Sequence, residues 1–219
     1  MNANLRPHTA PDFLPAVKDG FGLRFYDPLL RAFLRDHVFK RELIRLAAPG
    51  RGERALDAGC GTGTLLKLTE EACPDARLTG IDLDARILHL ARVKTGVPLL
   101  RGTLEQLPFP GEVFDFVFST LVFHHLKCEE KVQAFQEIRR VLRPGGTFLV
   151  ADFGKPQNRL MGLMSKLVQR ADGLERTRDN FAGRLPALLS GAGFAGVREV
   201  KKRMTAFGTL TFLSAWKAR

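Results

Sequence analysis

The chain of 219 residues predicts an α/β domain, a doubly wound and mostly parallel sheet with helices on both faces. Three observations carry that prediction. Short apolar runs alternate with helical patterns through the middle of the chain, the rhythm of βαβ units around a sheet buried on both sides. A glycine-rich loop follows the first of those runs and opens a helix. Near the C-terminus two consecutive strand patterns are joined by a short polar turn, and strands so joined must be antiparallel neighbours.

The elements follow in order. Leu30, Phe33, Leu34, Val38, Leu43 and Leu46 fall at helical spacing, which predicts an amphipathic helix over 28–47 that "APGRGE" ends. Residues 1–54 are expected to form a helical cap on the domain. In the core, 55–153, apolar runs place strands at 55–58, 78–81, 97–100, 114–118 and 147–151, with helices at 64–73, 84–93 and 129–142 between them. "LRPGG", 142–146, stops the last of these helices and turns the chain into a strand. Beyond Asp152 the rhythm changes. "NRLMGLMSKLVQR" predicts an amphipathic helix, either an ordinary packed one or a Met-rich, basic cover over an apolar substrate. A helix from Arg184, a strand "GVREV" and a final strand "FGTLTFLSAWK" complete residues 154–219, a substrate-side insertion and closing hairpin. No repeat or linker divides the chain, so 1–219 is expected to be a single domain.

Composition narrows the function. Apolar residues make up 45 % of the chain, no apolar run reaches the roughly 18 to 20 residues that span a bilayer, and "MNANLRPHTAPDF" has no apolar signal core. A soluble cytoplasmic protein is expected. Cys60, Cys73 and Cys128 are widely spaced and lack CxxC pairing, so they are expected to be reduced thiols, and no metal site is expected. The net charge of +11 is unevenly placed: residues 1–54 hold 10 Lys and Arg against 6 Asp and Glu, 55–150 hold 11 against 12, and 151–219 hold 13 against 5. A nearly neutral core with basic flanks fits outer elements that meet an anionic membrane surface, a nucleic acid or an acidic small molecule, and equally a merely solvated basic surface.

The loop "RALDAGCGTGTLLKL" is the focus of the chemistry. Gly59, Gly61 and Gly63 let the backbone turn tightly and approach a ligand, and the helix after them is expected to aim free N–H groups at it. A dinucleotide loop reads GxGxxG and faces a pyrophosphate, whereas here the order is GxGxG with Asp57 two residues ahead. A carboxylate there opposes a phosphate but suits a ligand bearing an ammonium and a sulfonium. Asp82, 19 residues after Gly63 in "GIDLD", stands where an acid accepts both hydroxyls of a ribose. A nucleoside with a cationic, phosphate-free tail, such as S-adenosylmethionine, fits these features.

"ALDAGCGTG", "GIDLD", "RGTLEQLPFPGEVFDFVFSTLVFHHL" and "IRRVLRPGGTFLVADF" resemble, in order and spacing, the motifs of class I S-adenosylmethionine-dependent methyltransferases, and most nearly the group that includes the ubiquinone and menaquinone biosynthesis C-methyltransferases. The resemblance covers about residues 54–153 and, more loosely, the terminal hairpin. It implies a Rossmann-like seven-stranded sheet with a reversed last strand. It also implies that Gly59, Cys60, Gly61 and Gly63 meet the methionine part and that Asp82, with Leu83 beside it, holds the ribose. Thr103 and Leu104 would supply the adenine wall, Thr103 standing where the family usually has an acid, and Ser119 would face the cofactor from the end of the fourth strand. Each also has a plainer reading: Asp57 as a loop cap, Gly63 as a packing glycine, Thr103 as a turn residue. Arg24 and Tyr26, ahead of the first helix, could close over the methionine carboxylate.

A sulfonium methyl is already reactive, so much of the rate can come from holding a nucleophile in line in a dry pocket. If the acceptor is a hydroxyl or an acidic carbon a base is needed, and His124, beside His125, is the candidate, although two histidines at a helix start can also simply pack or cap. The Asn/Asp-Pro-Pro-aromatic motif of base N-methylation and RNA-stacking aromatic patterns are absent, so a small, apolar or lipid-like acceptor is expected and nucleic acid is not. A nicotinamide-dependent oxidoreductase and a non-catalytic cofactor-binding module are the alternatives. The sequence fixes no oligomeric state.

Overall fold

In the computed structural model, residues 36–219 are described. Arg24, Tyr26 and the first part of the predicted N-terminal helix lie outside them. The elements are α1 (Asp36–Ala47), β1 (Arg54–Ala58), α2 (Thr64–Ala72), β2 (Arg77–Asp82), α3 (Ala85–Lys94), β3 (Leu99–Arg101), β4 (Phe114–Thr120), a 3-10 turn (Phe123–His125), α4 (Cys128–Val141), β5 (Leu142–Phe153), α5 (Arg159–Asp172), α6 (Leu174–Phe181), α7 (Leu185–Gly191), β6 (Phe194–Thr205) and β7 (Gly208–Lys217). The strands form one seven-stranded sheet in the order β3-β2-β1-β4-β5-β7-β6. Pairing is parallel from β3 through β5, and β7 enters antiparallel between β5 and β6. The expected reversed last strand is therefore present, set inside the sheet beside β5 with β6 on the edge.

The alternation of side chains along the strands gives the sheet two apolar faces. Leu56, Ala58, Val117, Phe148, Val150, Leu213 and Ala215 point to the face covered by α4 and α7, where Phe123, Phe135, Ile138 and Leu189 join them. Ala55, Phe118, Leu149, Ala151, Leu210 and Phe212 point to the other, with Phe39 and Leu43 of α1, Leu65 and Leu66 of α2 and Leu88 of α3. Each large side chain so buried contributes about 1.5–3 kcal/mol. Among the described residues no helix is long and apolar enough to cross a membrane.

Several boundaries move for identifiable reasons. β3 begins at Leu99 and not at Val97, because Pro98 has no N–H to give a ladder and offers only its carbonyl, which accepts from the Gly80 N–H at 2.9 Å. β5 starts at Leu142 directly after α4, pairing with Phe114 before a register shift, so "LRPGG" is the irregular start of a strand. β6 runs on through Lys201, Lys202 and Arg203, charges that blunt an exposed edge strand. α6 was not expected at all.

Candidate cofactor and acceptor site

Strand order reverses between β1 and β4: from β1 the chain builds towards β2 and β3, from β4 towards β5. The carboxyl ends of these strands are the usual ligand position in an open α/β sheet. The loops after β1 (59–63), β2 (82–84), β3 (102–104), β4 (121–125) and the end of β5 at Asp152 meet there.

The glycine loop is stitched to β2. The Gly59 and Cys60 N–H groups donate to the Ile81 carbonyl at 2.8 and 2.9 Å, Gly61 N–H to Asp82 Oδ2 at 2.8 Å, and Gly63 N–H to the Cys60 carbonyl at 2.9 Å. These four amides are thus turned inward and donate within the protein. Gly59 is required twice over. Its φ is +81°, and a Cβ would collide with Val122 Cγ2 in the loop after β4. Gly63, φ +74°, precedes α2, where a Cβ would press at 3.1 Å on Ala91 of α3, so packing also favours glycine there. We expect Gly59→Ala to lower the thermal midpoint by roughly 5–10 °C, the effect of a few kcal/mol of backbone and steric strain in a domain of this size, measurable by circular dichroism.

Asp57 lies on the α1 side of β1, 1 % exposed, and among the described residues neither carboxylate oxygen has a hydrogen-bond partner. Burial pushes its carboxyl up to about 7; Lys40 pulls the other way, while Asp82 and Asp36 add to the rise. Lys40 is itself buried and ion-paired with Asp36 at 3.0 Å, so α1 sets a charged pair next to Asp57 that the sequence reading missed. Asp82 ends β2. Its Oδ2 accepts from Gly61 and its Oδ1 from the Asp84 N–H at 2.9 Å, which orients the carboxylate and leaves each oxygen a further lone pair. Burial holds this carboxyl above its usual range as well, against the pull of those backbone donors.

The remaining predicted residues divide. Leu83 follows Asp82, its carbonyl accepting from Arg101 Nε at 3.1 Å, and the Gly102 N–H ties β3 to the Asp82 carbonyl at 3.1 Å, which brings Thr103 beside the end of β2. Leu104 buries its side chain in the core, so only its backbone is available to a ligand. Cys60 does the same, its thiol packed in the apolar cluster near Gly80 and pushed well above its ordinary range by burial. Ser119 is one residue short of the end of β4, fully buried, and its hydroxyl donates to the Ala58 carbonyl at 2.8 Å, binding β4 to β1 beneath the loop.

On the β4–β5 side His124 is buried in the 3-10 turn, and its Nδ1 lies 2.7 Å from Asp152 Oδ1. Asp152 also accepts the N–H groups of Val122 (3.0 Å) and Phe123 (2.7 Å) on Oδ2 and of Phe153 (2.7 Å) on Oδ1. Burial alone would raise its carboxyl; His124 and the backbone donors outweigh that and hold it below the usual range. An ionised Asp152 only accepts, so Nδ1 of His124 carries a proton and donates it to Asp152 Oδ1. Nε2 lies 3.7 Å from Asp172 Oδ2 at the end of α5, and His125 Nδ1 lies 3.4 Å from Asp172 Oδ1. His125 is driven down to about 3, first by burial and then by His124, so it is neutral at physiological pH. Among the described residues, His124, His125 and Asp172 are the donors close enough together, within 4.8 Å, to share a cation. Neither Asp152 nor Asp172 was singled out from sequence, although an acid ending the apolar run "TFLVADF" is a usable signal.

With the geometry in place, comparison with known proteins adds the following. Residues 56–150 match a family described as "Methyltransferase domain". The ubiquinone/menaquinone biosynthesis C-methyltransferase UbiE of Pseudomonas savastanoi is 35 % identical over 132 residues, 57 % of this chain and 51 % of the relative, so the chain spans about half the length of that curated relative. The demethylmenaquinone methyltransferase of Staphylococcus aureus is 28 % identical over 198 residues, covering 79 % of this chain and 81 % of the relative. Among solved structures, a SAM-dependent methyltransferase from Thermotoga maritima superposes with a TM-score of 0.70 at 22 % identity, over 89 % of this chain and 97 % of the other, a likeness of fold.

Proposed function

We propose that the chain is a class I S-adenosylmethionine-dependent methyltransferase and transfers a methyl group from S-adenosylmethionine to a small apolar, lipid-like acceptor of the hydroquinone or phenol class. The observation that carries the cofactor is the buried carboxylate of Asp57, which has no hydrogen-bond partner among the described residues. A desolvated carboxylate favours a cation beside it and opposes a pyrophosphate, so a dinucleotide is disfavoured.

Asp57 would face the ammonium of the cofactor and Asp82 its ribose hydroxyls. Thr103 and the backbone of Leu104 would border the base. Bound S-adenosylmethionine supplies a methyl on a sulfonium, an electrophile that needs no further activation. The chain's own contribution lies on the other side of the β1–β4 switch point: His124, its Nδ1–H fixed by Asp152, presents Nε2 to take the proton an acceptor hydroxyl or ring carbon gives up as it is methylated. The relatives' names point to quinone-like acceptors, and the exposed leucines of α5, the helix that ends at Asp172, fit an apolar one.

Calorimetric titration with S-adenosylmethionine and S-adenosylhomocysteine tests the cofactor, and transfer of a labelled methyl to prenylated hydroquinones tests the acceptor. Binding in the micromolar range with no binding of NAD is the expected result. Absence of heat with both sulfur nucleosides on folded protein would overturn the reading.

A further inference from the structure

We propose that α5 is an interfacial docking helix, which rests the mouth of the site on the surface of an anionic membrane. This rests on the reading of an apolar acceptor and names where that acceptor comes from. Met161, Ser165 and Val168 bury one face of α5 against the domain. The opposite face is not covered by any described residue: Leu160, Leu163 and Leu167, at the i, i+3, i+7 spacing of a helical stripe, are each more than half exposed. Leu174 at the start of α6 and Met204 on β6, whose sulfur meets Asn158 at the head of α5, extend this apolar area and are still more exposed.

Charge decides the occupant. At about 100° per residue, Arg159, Lys166 and Arg170 fall within about 40° of one another along one flank of the leucine stripe. Among the described residues none of the three is ion-paired to a carboxylate, and residues 151–219 carry 13 Lys and Arg against 5 Asp and Glu. An apolar strip bordered by unpaired cations matches the acyl–headgroup boundary of an anionic leaflet. Between α5 and α6 a groove of about 480 Å³ is lined by Lys166, Leu174, Arg178 and Phe181 among others, which continues the same mixed character.

The position of the helix gives the contact a function. Asp172 at its end faces both histidines, and Arg176 of α6 donates to the His125 carbonyl at 2.7 Å. A lipid-dissolved acceptor leaving the bilayer alongside α5 would therefore arrive next to the 3-10 turn that holds His124.

Sedimentation with vesicles of phosphatidylcholine alone, and with phosphatidylglycerol added, tests the proposal on the full chain. The wild type is expected to bind the anionic vesicles and not the neutral ones, and to be released by raising salt from about 0.1 to 0.5 M as the charges are screened. Leu163→Ser with Leu167→Ser, both at exposed positions, is expected to raise the lipid concentration for half-binding by about tenfold or more. Equal binding of the wild type and the double variant would overturn the assignment of α5, as would no preference for anionic lipid. So would a dimer in solution that these substitutions dissolve without any vesicle binding. Titration with S-adenosylmethionine on the same samples separates the two levels, because cofactor binding without vesicle binding overturns the docking alone.

Discussion

Asp57→Asn is expected to make the ligand-free protein more stable than the wild type above pH 7 while weakening S-adenosylmethionine binding at least tenfold. The carboxyl of Asp57 is moved from an ordinary value of 3.8 to about 7, chiefly by burial, with Lys40 opposing and Asp82 and Asp36 reinforcing the shift. A group whose folded value is raised favours folding in its protonated form. Its contribution is fully present below about pH 4 and is lost as pH rises through about 7. The shift corresponds to roughly 4 kcal/mol of stability lost across that window. Asparagine removes the charge but buries an amide where neither carboxylate oxygen had a partner among the described residues, which returns about 1–3 kcal/mol of the gain. The net expectation is a thermal midpoint about 3–10 °C higher at pH 8 and no higher at pH 5. Differential scanning calorimetry at both pH values checks the stability, and calorimetric titration at pH 8 the affinity. A variant destabilised equally at both pH values, with cofactor affinity intact, would show that Asp57 is an ordinary structural residue.

The same residue shows what the sequence makes legible. Local chemistry came through: three glycines at alternate positions, an acid before them and an acid closing the next strand are short-range signals, and the structure puts Asp57, the loop and Asp82 in one place. The sheet was legible for a related reason, because apolar runs with helical patterns between them leave few ways to pack. What stayed hidden depends on distance or runs against the usual pattern. α6, "LERTRDNF", buries Thr177, Asp179 and Asn180 and exposes Leu174, so apolar periodicity could not mark it. Its polar side is met only in part, and mostly from outside the helix: Asn180 donates to the Phe153 carbonyl at 3.2 Å, and Asp179 pairs with Arg184 at 2.9 Å and lies 3.6 Å from the buried Lys131. The inward turn of the loop amides was equally invisible, since the acceptor of two of them, the Ile81 carbonyl, belongs to another strand.

Asp152 is the extreme case of such long-range dependence, and replacing it is expected to separate turnover from cofactor binding. In the wild type its two oxygens accept from Val122, Phe123, Phe153 and His124, so a single buried carboxylate fixes both the path of the 3-10 turn and the tautomer of the imidazole. Asparagine can keep a carbonyl towards Val122 and Phe123. Its amide nitrogen then faces His124 Nδ1, which must become an acceptor, and the ring proton moves to Nε2, the atom proposed as the base. Methyl transfer to a prenylated hydroquinone is therefore expected to fall by about 10²–10⁴-fold in Asp152→Asn, and similarly in His124→Gln, the range for loss of a positioned base. The dissociation constant for S-adenosylmethionine, whose proposed contacts are Asp57 and Asp82 on the other side of the β1–β4 switch point, should stay within about threefold in both, because independent sites behave additively. The variants also differ from each other. Asp152→Asn gives up charge-assisted bonds to a buried turn and should cost about 1.5–3 kcal/mol of stability, whereas His124→Gln leaves the backbone latch in place and should unfold nearer the wild type. Turnover retained in His124→Gln would remove the base from the mechanism and leave Asp152 as a purely structural latch. Turnover lost in both, with cofactor affinity unchanged, requires His124 and Asp152 to act together on the acceptor.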